Sequence, residues 1–417
     1  MTSFVRATAP PLFLILLSIS LPAQALNVPS DGSDGAFAPS ANVQIDLSQA
    51  VTGNWNQDNA ANAGKGIYDP NKWAVVFKYS SVDIPGGVTV TFKNHPSGAP
   101  VVWFVQGDAN INANAVINIK GADGNQSGGL AEPGPGGFRG GSAGSATAPP
   151  PAGFGPGGGS RTGEQDYYGT GSYATRATYF TAGPVYGNSQ VVPLIGGSGG
   201  CGVVYNNVYY GGGAGGGAIM ICSGGTLTMN GTINADGGTG HGASGSGGAI
   251  RLIAETIISS GAGRLYARGP QSNMGTSAGL GRIRTEANTY TGTITSIPGA
   301  SITSLLSASP VYWPPTVIPS VSIAKVGEVS TPSDPWAVLS SPDHFTTIGT
   351  MQPTAVEINA VNVPEDWNVV IRIVPFSGPD TTVQAAKVSG DASASVWSAT
   401  IAPKMGVSSL QVRAYKP

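Results

Sequence analysis

Acidic and basic side chains that could cleave a polysaccharide recur along the sequence. Asp123 and Asp236 each stand beside a glycine just after an apolar segment, and Arg251 lies within another such segment. Glycoside hydrolysis needs two carboxylates that face one sugar, whereas an eliminating lyase needs a base and often a cation. Turn residues without catalytic function would occupy the same positions, so we favour a non-enzymatic role and keep catalysis as the alternative.

Other common catalytic and metal-binding patterns are missing from the sequence. No Gly-x-Ser-x-Gly elbow stands between a predicted strand and a predicted helix, and no His or Cys pair has zinc-ligand spacing. His241 is flanked by glycines and is expected to be a loop residue. Asp31 and Asp34 could offer carboxylates to Ca²⁺, but Asp-Gly pairs are more typical of turns. We predict no cofactor and no metal ion.

Aromatic side chains that could bind a surface are concentrated in one glycine-rich stretch, residues 153–212. Surfaces rich in Gly, Tyr and Ser are adaptable binders, as antibody loops show. It is equally open that the rings hold the stretch onto the rest of the protein. The candidates for surface binding are Tyr167, Tyr168, Tyr173, Tyr209 and Tyr210.

The elements that position these residues are predicted to be β-strands. Short β-branched runs punctuated by Gly, Asn or Pro begin at Trp73, and helical periodicity is nearly absent. Residues 109–121 (ANINANAVINIKG) align without a gap on residues 225–237 (GTLTMNGTINADG), and residues 217–222 recur at 248–253. Units of this size bury their apolar faces by stacking on one another. The repeat predicts a parallel β-helix-like domain over residues 73–308, with a plain β-sandwich as the alternative.

Glycine-rich excursions separate the predicted strands and contain few apolar residues. Most of the 63 glycines of the chain lie in or beside them. We expect flexible loop insertions that project from one edge of the repeat domain. The alternative is that the glycines form extended, polyproline-II-like segments packed against one another.

The two ends of the chain differ from the repeat domain. Residues 1–25 combine Arg6, an apolar run and the small-residue site Ala23–Ala25, which is the pattern of a cleavable secretory signal peptide. Residues 26–72 are predicted to be an N-terminal cap and loop segment. Residues 309–319 are a proline-rich linker, and residues 320–417 alternate apolar and polar residues as an Ig-like β-sandwich does.

Export, charge and cysteine content limit the partners. Charged residues make up 10% of the chain and the formal net charge is −2, so we expect no nucleic-acid partner. No apolar stretch predicts a membrane span after cleavage. Cys201 and Cys222 are the two cysteines, and an oxidising compartment favours a disulfide between them over buried thiols.

Four strings resemble a group of secreted, glycine-rich bacterial proteins: residues 73–81 (WAVVFKYSS), 91–96 (TFKNHP), 133–141 (PGPGGFRGG) and 247–254 (GGAIRLIA). The resemblance covers most of the mature chain. It implies β-helix-like repeats joined to a C-terminal Ig-like domain and a Gram-negative source. It implies no catalytic residues, because no activity is established for the group.

These observations together predict a secreted or cell-surface structural or adhesion protein that is not an enzyme. Its partners would be polysaccharides or other surface proteins, and it could assemble with copies of itself. The alternative is an extracellular polysaccharide lyase or glycoside hydrolase on the same scaffold, in which Asp123 or Asp236 would lie near Arg251.

Overall fold

The computed structural model describes residues 26–57, 64–126, 130–143, 151–160, 168–177, 181–304, 310–314, 319–332, 352–375, 381–402 and 408–416. The signal-peptide prediction for residues 1–25 therefore lies outside the described residues. Within the described ranges, one short 3₁₀ helix at Leu47–Gln49 accompanies strands, turns and extended segments. The all-β prediction is confirmed.

The described residues up to 304 form twenty strands. They are β1 Ala36–Phe37, β2 Val43–Asp46, β3 Val51–Thr52, β4 Ile67–Asp69, β5 Ala74–Tyr79, β6 Ser81–Ile84, β7 Thr89–Lys93, β8 Val101–Val105, β9 Ala109–Ile111, β10 Val116–Asn118, β11 Val203–Tyr205, β12 Val208–Tyr210, β13 Ala218–Met229, β14 Thr232–Asn234, β15 Ala249–Ile258, β16 Arg264–Tyr266, β17 Arg282–Glu286, β18 Thr289–Thr291, β19 Thr295–Ile297 and β20 Ser301–Thr303.

Most of these strands form three stacks of parallel neighbours. The first stack contains β5, β8, the first half of β13, the first half of β15, β17 and β20. The second stack contains β1, β6, β9, the second halves of β13 and β15, and β18. The third stack contains β2, β7, β10, β14, β16 and β19. The chain visits the three stacks in turn, so each passage adds one strand to each stack.

Within the first stack, β5, β8 and the first halves of β13 and β15 are buried on both faces, which explains their unbroken apolar runs. Alternate side chains such as Trp103 and Ile221 enter the core shared with the other two stacks. The intervening side chains, such as Phe104 and Met220, form a second apolar cluster on the outer face. Residues 310–314, from the predicted linker, contact this cluster: the rings of Tyr312 and Phe104 are 4.9 Å apart.

The sequence repeat describes the third stack better than the second. Ile117 faces Ile233 and Asn118 faces Asn234, as the gapless alignment requires. In the second stack, Ile111 faces Met229 instead of Leu227. The corner after β9 is two residues longer than the corner after β13, so the strands shift by two and keep the same side chains inside. Asn114 in the longer corner has a φ of 67°, in the left-handed region that asparagine tolerates.

The glycine-rich excursions are not projecting loops, because they pack into a body that we call the glycine lattice. The lattice comprises residues 119–126, 130–143, 151–160, 168–174, 181–187, 194–202, 211–217, 235–248 and 267–281, most of which are buried. Three of its segments directly continue β10, β14 and β16. The structure therefore contains extended glycine segments packed together, as the alternative prediction states.

Hydrogen bonds along residues 211–217 follow a period of three. The N–H groups of Gly211, Ala214 and Gly217 donate to residues 125, 122 and 119, whereas those of Gly212 and Gly215 donate to residues 141 and 138. The N–H groups of Gly213 and Gly216 donate to residues 243 and 246. One segment thus bonds to three neighbours in turn, as expected for a backbone with three residues per turn.

Close backbone contact explains why the lattice needs glycine. A Cβ atom built on Gly215 would lie 1.9 Å from the carbonyl oxygen of Gly197, and one built on Gly238 would lie 1.8 Å from that of Ala122. The segments replace side-chain packing with backbone contact and hydrogen bonds. This explains how a region with few large apolar side chains is nevertheless buried.

Eight further strands form a separate antiparallel core. They are β21 Ser320–Val326, β22 Val329–Ser330, β23 Thr354–Val361, β24 Asn368–Pro375, β25 Thr381–Gln384, β26 Ala386–Gly390, β27 Ala394–Ile401 and β28 Ser408–Tyr415. Five form one sheet and three form another. Trp397 is buried and Trp367 packs against the shared core.

No helix in the described parts of the chain has the length and apolar character needed to span a membrane.

A single methyl group placed inside the glycine lattice is expected to destabilise the protein. We predict that Gly215→Ala lowers the free energy of unfolding by about 2 kcal/mol or more, because overpacking of a dense interior costs roughly 1–3 kcal/mol. Gly299→Ala is the matched control, since a Cβ atom there meets nothing within 4 Å. Chemical denaturation of both variants measures the effect, and equal stabilities would contradict the packing argument.

Candidate functional site

The predicted surface tyrosines divide into buried and accessible residues. Tyr173 is fully buried and stacks on Tyr186 with ring centroids 4.5 Å apart. Tyr168 is also buried, and its hydroxyl donates to the carbonyl oxygen of Val204 at 2.7 Å. Both therefore hold segments in place instead of offering a binding surface. Tyr209 and Tyr210 are half-buried, and Tyr167 lies outside the described residues.

Tyr209 and Tyr210 belong to a two-stranded hairpin at the far end of the glycine lattice. Strands β11 and β12 are antiparallel, with Tyr205 paired to Val208. The two turn residues, Asn206 and Asn207, have φ values of 51° and 61°. Two consecutive left-handed residues are typical of the tight type I′ hairpin turn, which favours asparagine. The hairpin therefore has a defined shape even though its turn is exposed.

A groove of about 460 Å³ lies beside this hairpin. Turns and segment ends from four distant parts of the sequence meet there. Polar and aromatic side chains line most of the groove, together with two glycines that lie on the segments forming its floor. The lining residues are Asp123, Gly124, Asn125, Gln126, Tyr210, Thr239, Gly240, His241 and Asn273.

Hydrogen bonds fix the acidic side of the groove. Oδ1 of Asp123 accepts from the backbone N–H of Thr239 at 2.7 Å and from Nζ of Lys120 at 3.0 Å. The side chain of Asp123 is 58% exposed, so the carboxylate remains accessible. Because Lys120 offsets its charge, the groove has a polar character without a strong net charge.

An aromatic cluster contributes Tyr210 and His241 to the groove lining. The rings of Tyr210 and His241 stack with centroids 3.9 Å apart, and the ring of Tyr205 lies 5.3 Å from that of His241. Nδ1 of His241 is buried without a hydrogen-bond partner. Tyr210 also packs against a small apolar cluster that contains Tyr168 and Val203. The rings are therefore held in a rigid arrangement next to the amides of the groove.

Asp236 lies on the same lattice segment as Thr239 but belongs to a different ion pair. Its carboxylate accepts from Nη2 and Nε of Arg268 at 2.6 Å and 3.0 Å. Oδ1 also accepts from the backbone N–H of Arg268 at 2.7 Å. This bidentate pair raises the pKa of Arg268, chiefly through the hydrogen bond to Asp236.

Arg251 is buried on the outer face of the first stack, in a third ion pair. Nε of Arg251 donates to Oε1 of Glu286 at 2.8 Å, and the same oxygen accepts from Nε of Arg284 at 2.9 Å. Nη1 of Arg251 donates to the carbonyl oxygen of Val311. Asp123, Asp236 and Arg251, the three residues of the enzyme hypothesis, thus each have a different charged partner.

Cys201 and Cys222 are both buried, and no disulfide joins them in the structure. Cys201 packs with Tyr168 and Val203 below the hairpin. Cys222 lies on the outer face of the first stack, where its thiol donates to the hydroxyl of Tyr312 at 3.5 Å. The two residues belong to separate clusters, so the structure does not contain the predicted bond. Burial raises the pKa of Cys222 to about 12, so the thiol stays protonated.

The Asp-Gly turn near the N-terminus has the structural role that the sequence favours. Oδ2 of Asp31 pairs with Nζ of Lys78 at 3.0 Å, while Asp34 accepts from the backbone N–H groups of Lys78 and Gly64. Over the described ranges, no group of three or more His, Cys, Asp or Glu side chains could hold a metal ion.

Several residues of the groove were not singled out from the sequence. Asn125, Gln126 and Asn273 stand in glycine-rich stretches that resemble disordered linkers. His241 was interpreted as a solvated loop residue, yet it stacks on Tyr210. The position of each polar residue at the end of a glycine segment could have indicated the groove. Using that signal requires knowing that the segments run side by side.

Comparisons of this chain with protein-family models, with curated proteins and with solved structures found no match.

The state of the cysteines can be measured directly. We expect native protein to resist a thiol reagent, because both sulfurs are buried and Cys222 has a raised pKa. After denaturation without reductant, two thiols per chain should react. A non-reducing mass two hydrogens lighter than the reduced form would instead show a disulfide.

The Arg251–Glu286–Arg284 cluster predicts a loss of stability in acid. Burial alone raises the pKa of Glu286, but the guanidinium groups of Arg251 and Arg284 outweigh it and lower the pKa below 4.5. A lowered pKa in the folded state contributes stability above the unfolded value and loses it as the pH falls through the folded value. The stability difference between wild type and Glu286→Gln should therefore shrink below pH 4.5, as denaturation at several pH values would show. A constant difference would contradict this account.

Proposed function

We propose that this protein is an exported, non-enzymatic glycan-binding protein of the adhesion type, and that the groove at the far end of the glycine lattice is its binding site. The observation that carries the proposal is the composition of the groove. Three amide side chains and the carboxylate of Asp123 lie beside the stacked rings of Tyr210 and His241. Amides and carboxylates bind sugar hydroxyl groups, and aromatic rings pack against the apolar faces of sugars.

The charge around the groove favours a neutral ligand. Lys120 is engaged by Asp123, and the lining residues contain no arginine. Recognition of phosphate, sulfate or uronate groups usually depends on bidentate arginine contacts. We therefore propose neutral sugars that present hydroxyl groups as the ligand class.

The architecture in this proposal is a parallel β-helix that supports the glycine lattice, followed by an Ig-like β-sandwich. In support, three stacks of parallel strands share one core, and the two antiparallel sheets of the C-terminal region share another. The sequence pattern of a signal peptide supports action outside the cell, as does the resemblance to secreted glycine-rich bacterial proteins. The lattice would hold the groove away from the strand stacks, where a large glycan has access.

A glycan-array screen of the chain from residue 26 onward tests the proposal. We expect binding to neutral glycans, and loss of at least about tenfold in affinity when Asn125, Gln126 and Asn273 are all changed to alanine, since each lost hydrogen bond contributes about 0.5–1.5 kcal/mol. Gln384→Ala is the control, because Gln384 has an exposed amide side chain on β25, a strand of the C-terminal antiparallel sheets.

Two results would contradict the proposal. One is the absence of binding to every glycan on the array. The other is unchanged affinity in the triple variant when its thermal unfolding matches that of wild type. Cleavage of a bound glycan, followed by mass spectrometry, would instead favour the enzymatic alternative.

A further inference from the structure

The outer surface of the glycine lattice next to the groove carries a regular set of polar side chains. Residues 119–125, 235–240 and 267–272 continue β10, β14 and β16 and run side by side. A backbone with three residues per turn places residues i and i+3 on the same side. The side chains that share this outer side form what we call the outer grid: Lys120, Asp123, Asp236, Thr239, Arg268 and Gln271.

The same contact is repeated across the outer grid. Oδ1 of Asp123 accepts from the N–H of Thr239 on the next segment, and Oδ1 of Asp236 accepts from the N–H of Arg268 on the segment after that, both at 2.7 Å. Each aspartate therefore braces its neighbour in an equivalent way. The two acids and the two bases of the grid pair with one another, which leaves the grid polar and without net charge.

At the other end from the groove, the grid meets a rigid aromatic side chain. Cζ of Arg268 lies 4.3 Å from the ring centroid of Tyr266, and the bidentate contact with Asp236 fixes the guanidinium there. Arg268 is 46% exposed, so the flat group that it forms with Tyr266 is accessible. Arginine and tyrosine planes of this kind offer stacking surfaces for a ring.

The groove and Tyr266 are separated by a distance that suits a chain of sugars. Gln271 stands five positions after Tyr266, which corresponds to about 15 Å at about 3.1 Å per residue. Thr239, on the neighbouring segment, belongs both to the outer grid and to the groove lining. The polar surface is thus continuous from the groove to Tyr266.

We propose that the ligand is a linear, neutral oligosaccharide, and that the outer grid and Tyr266 form a second subsite for the units beyond the groove. This inference rests on the proposed function. It adds that the groove holds one end of the chain, while Thr239 and Gln271 bind hydroxyl groups of the following units. The sugar unit farthest from the groove stacks on the Tyr266–Arg268 pair.

Calorimetric titration with cello-, malto- and manno-oligosaccharides of one to six units tests this subsite. We expect affinity for at least one series to rise with length. Tyr266→Ala and Gln271→Ala should each weaken binding of the longest member about fivefold to tenfold, because the first removes the stacking surface and the second removes a hydrogen-bonding amide. Binding of the single sugar should not change. Tyr290→Ala, an exposed tyrosine on the second stack, is the matched control.

The outcomes separate the two proposals. If the longest member binds no more tightly than the single sugar, or if both variants bind it as wild type does, the second subsite is wrong and the groove remains. If wild type binds no member of any series and no glycan on the array, the glycan-binding function falls with it. Gln271 is exposed, so its variant keeps the test valid if Tyr266→Ala fails to fold.

Discussion

Contact between backbones in the glycine lattice is the constraint on which the rest of the structure depends. The lattice segments approach so closely that a Cβ atom at many positions would fall about 2 Å from a carbonyl oxygen. Their N–H groups are satisfied by neighbours in several directions. A region with little apolar surface can therefore exclude water, because hydrogen bonds and dense packing replace the usual side-chain core.

The strand stacks and the lattice both pack neighbouring segments of the chain against one another, but they do so with different residue repeats. In the stacks, alternate residues face the core, so Ile117 and Ile233 can stack while Asn118 and Asn234 face outward. Beyond Ile119 the repeat changes from two residues to three, and glycine replaces the inward side chains. The transition occurs without a break in the path of the chain, which lets each turn of the stacked strands extend into one excursion of the lattice. The groove exists because several such excursions end at the same level.

Much of the strand region could be predicted from the sequence, but the lattice and the groove could not. Runs such as Val101–Val105 have β-branched and aromatic residues that allow few other structures. The two-residue difference in length between the corners after β9 and β13 could not be predicted from the sequence, because the two repeat segments align without a gap. Glycine segments carry no side-chain pattern, so nothing local shows which segments are neighbours. For the same reason Tyr173 was interpreted as a candidate surface residue although it is buried, and Asn273 was not considered.

The period-three bonding of residues 211–217 also has a mechanical consequence. In a sheet, a strand at the edge holds one neighbour and can be peeled away one hydrogen bond at a time. A segment in the lattice holds three neighbours on three sides, so pulling it loads bonds in several directions together. Force applied at the far end would therefore be shared across the cross-section of the lattice. A body built almost without side chains can in this way serve as a stiff support under tension.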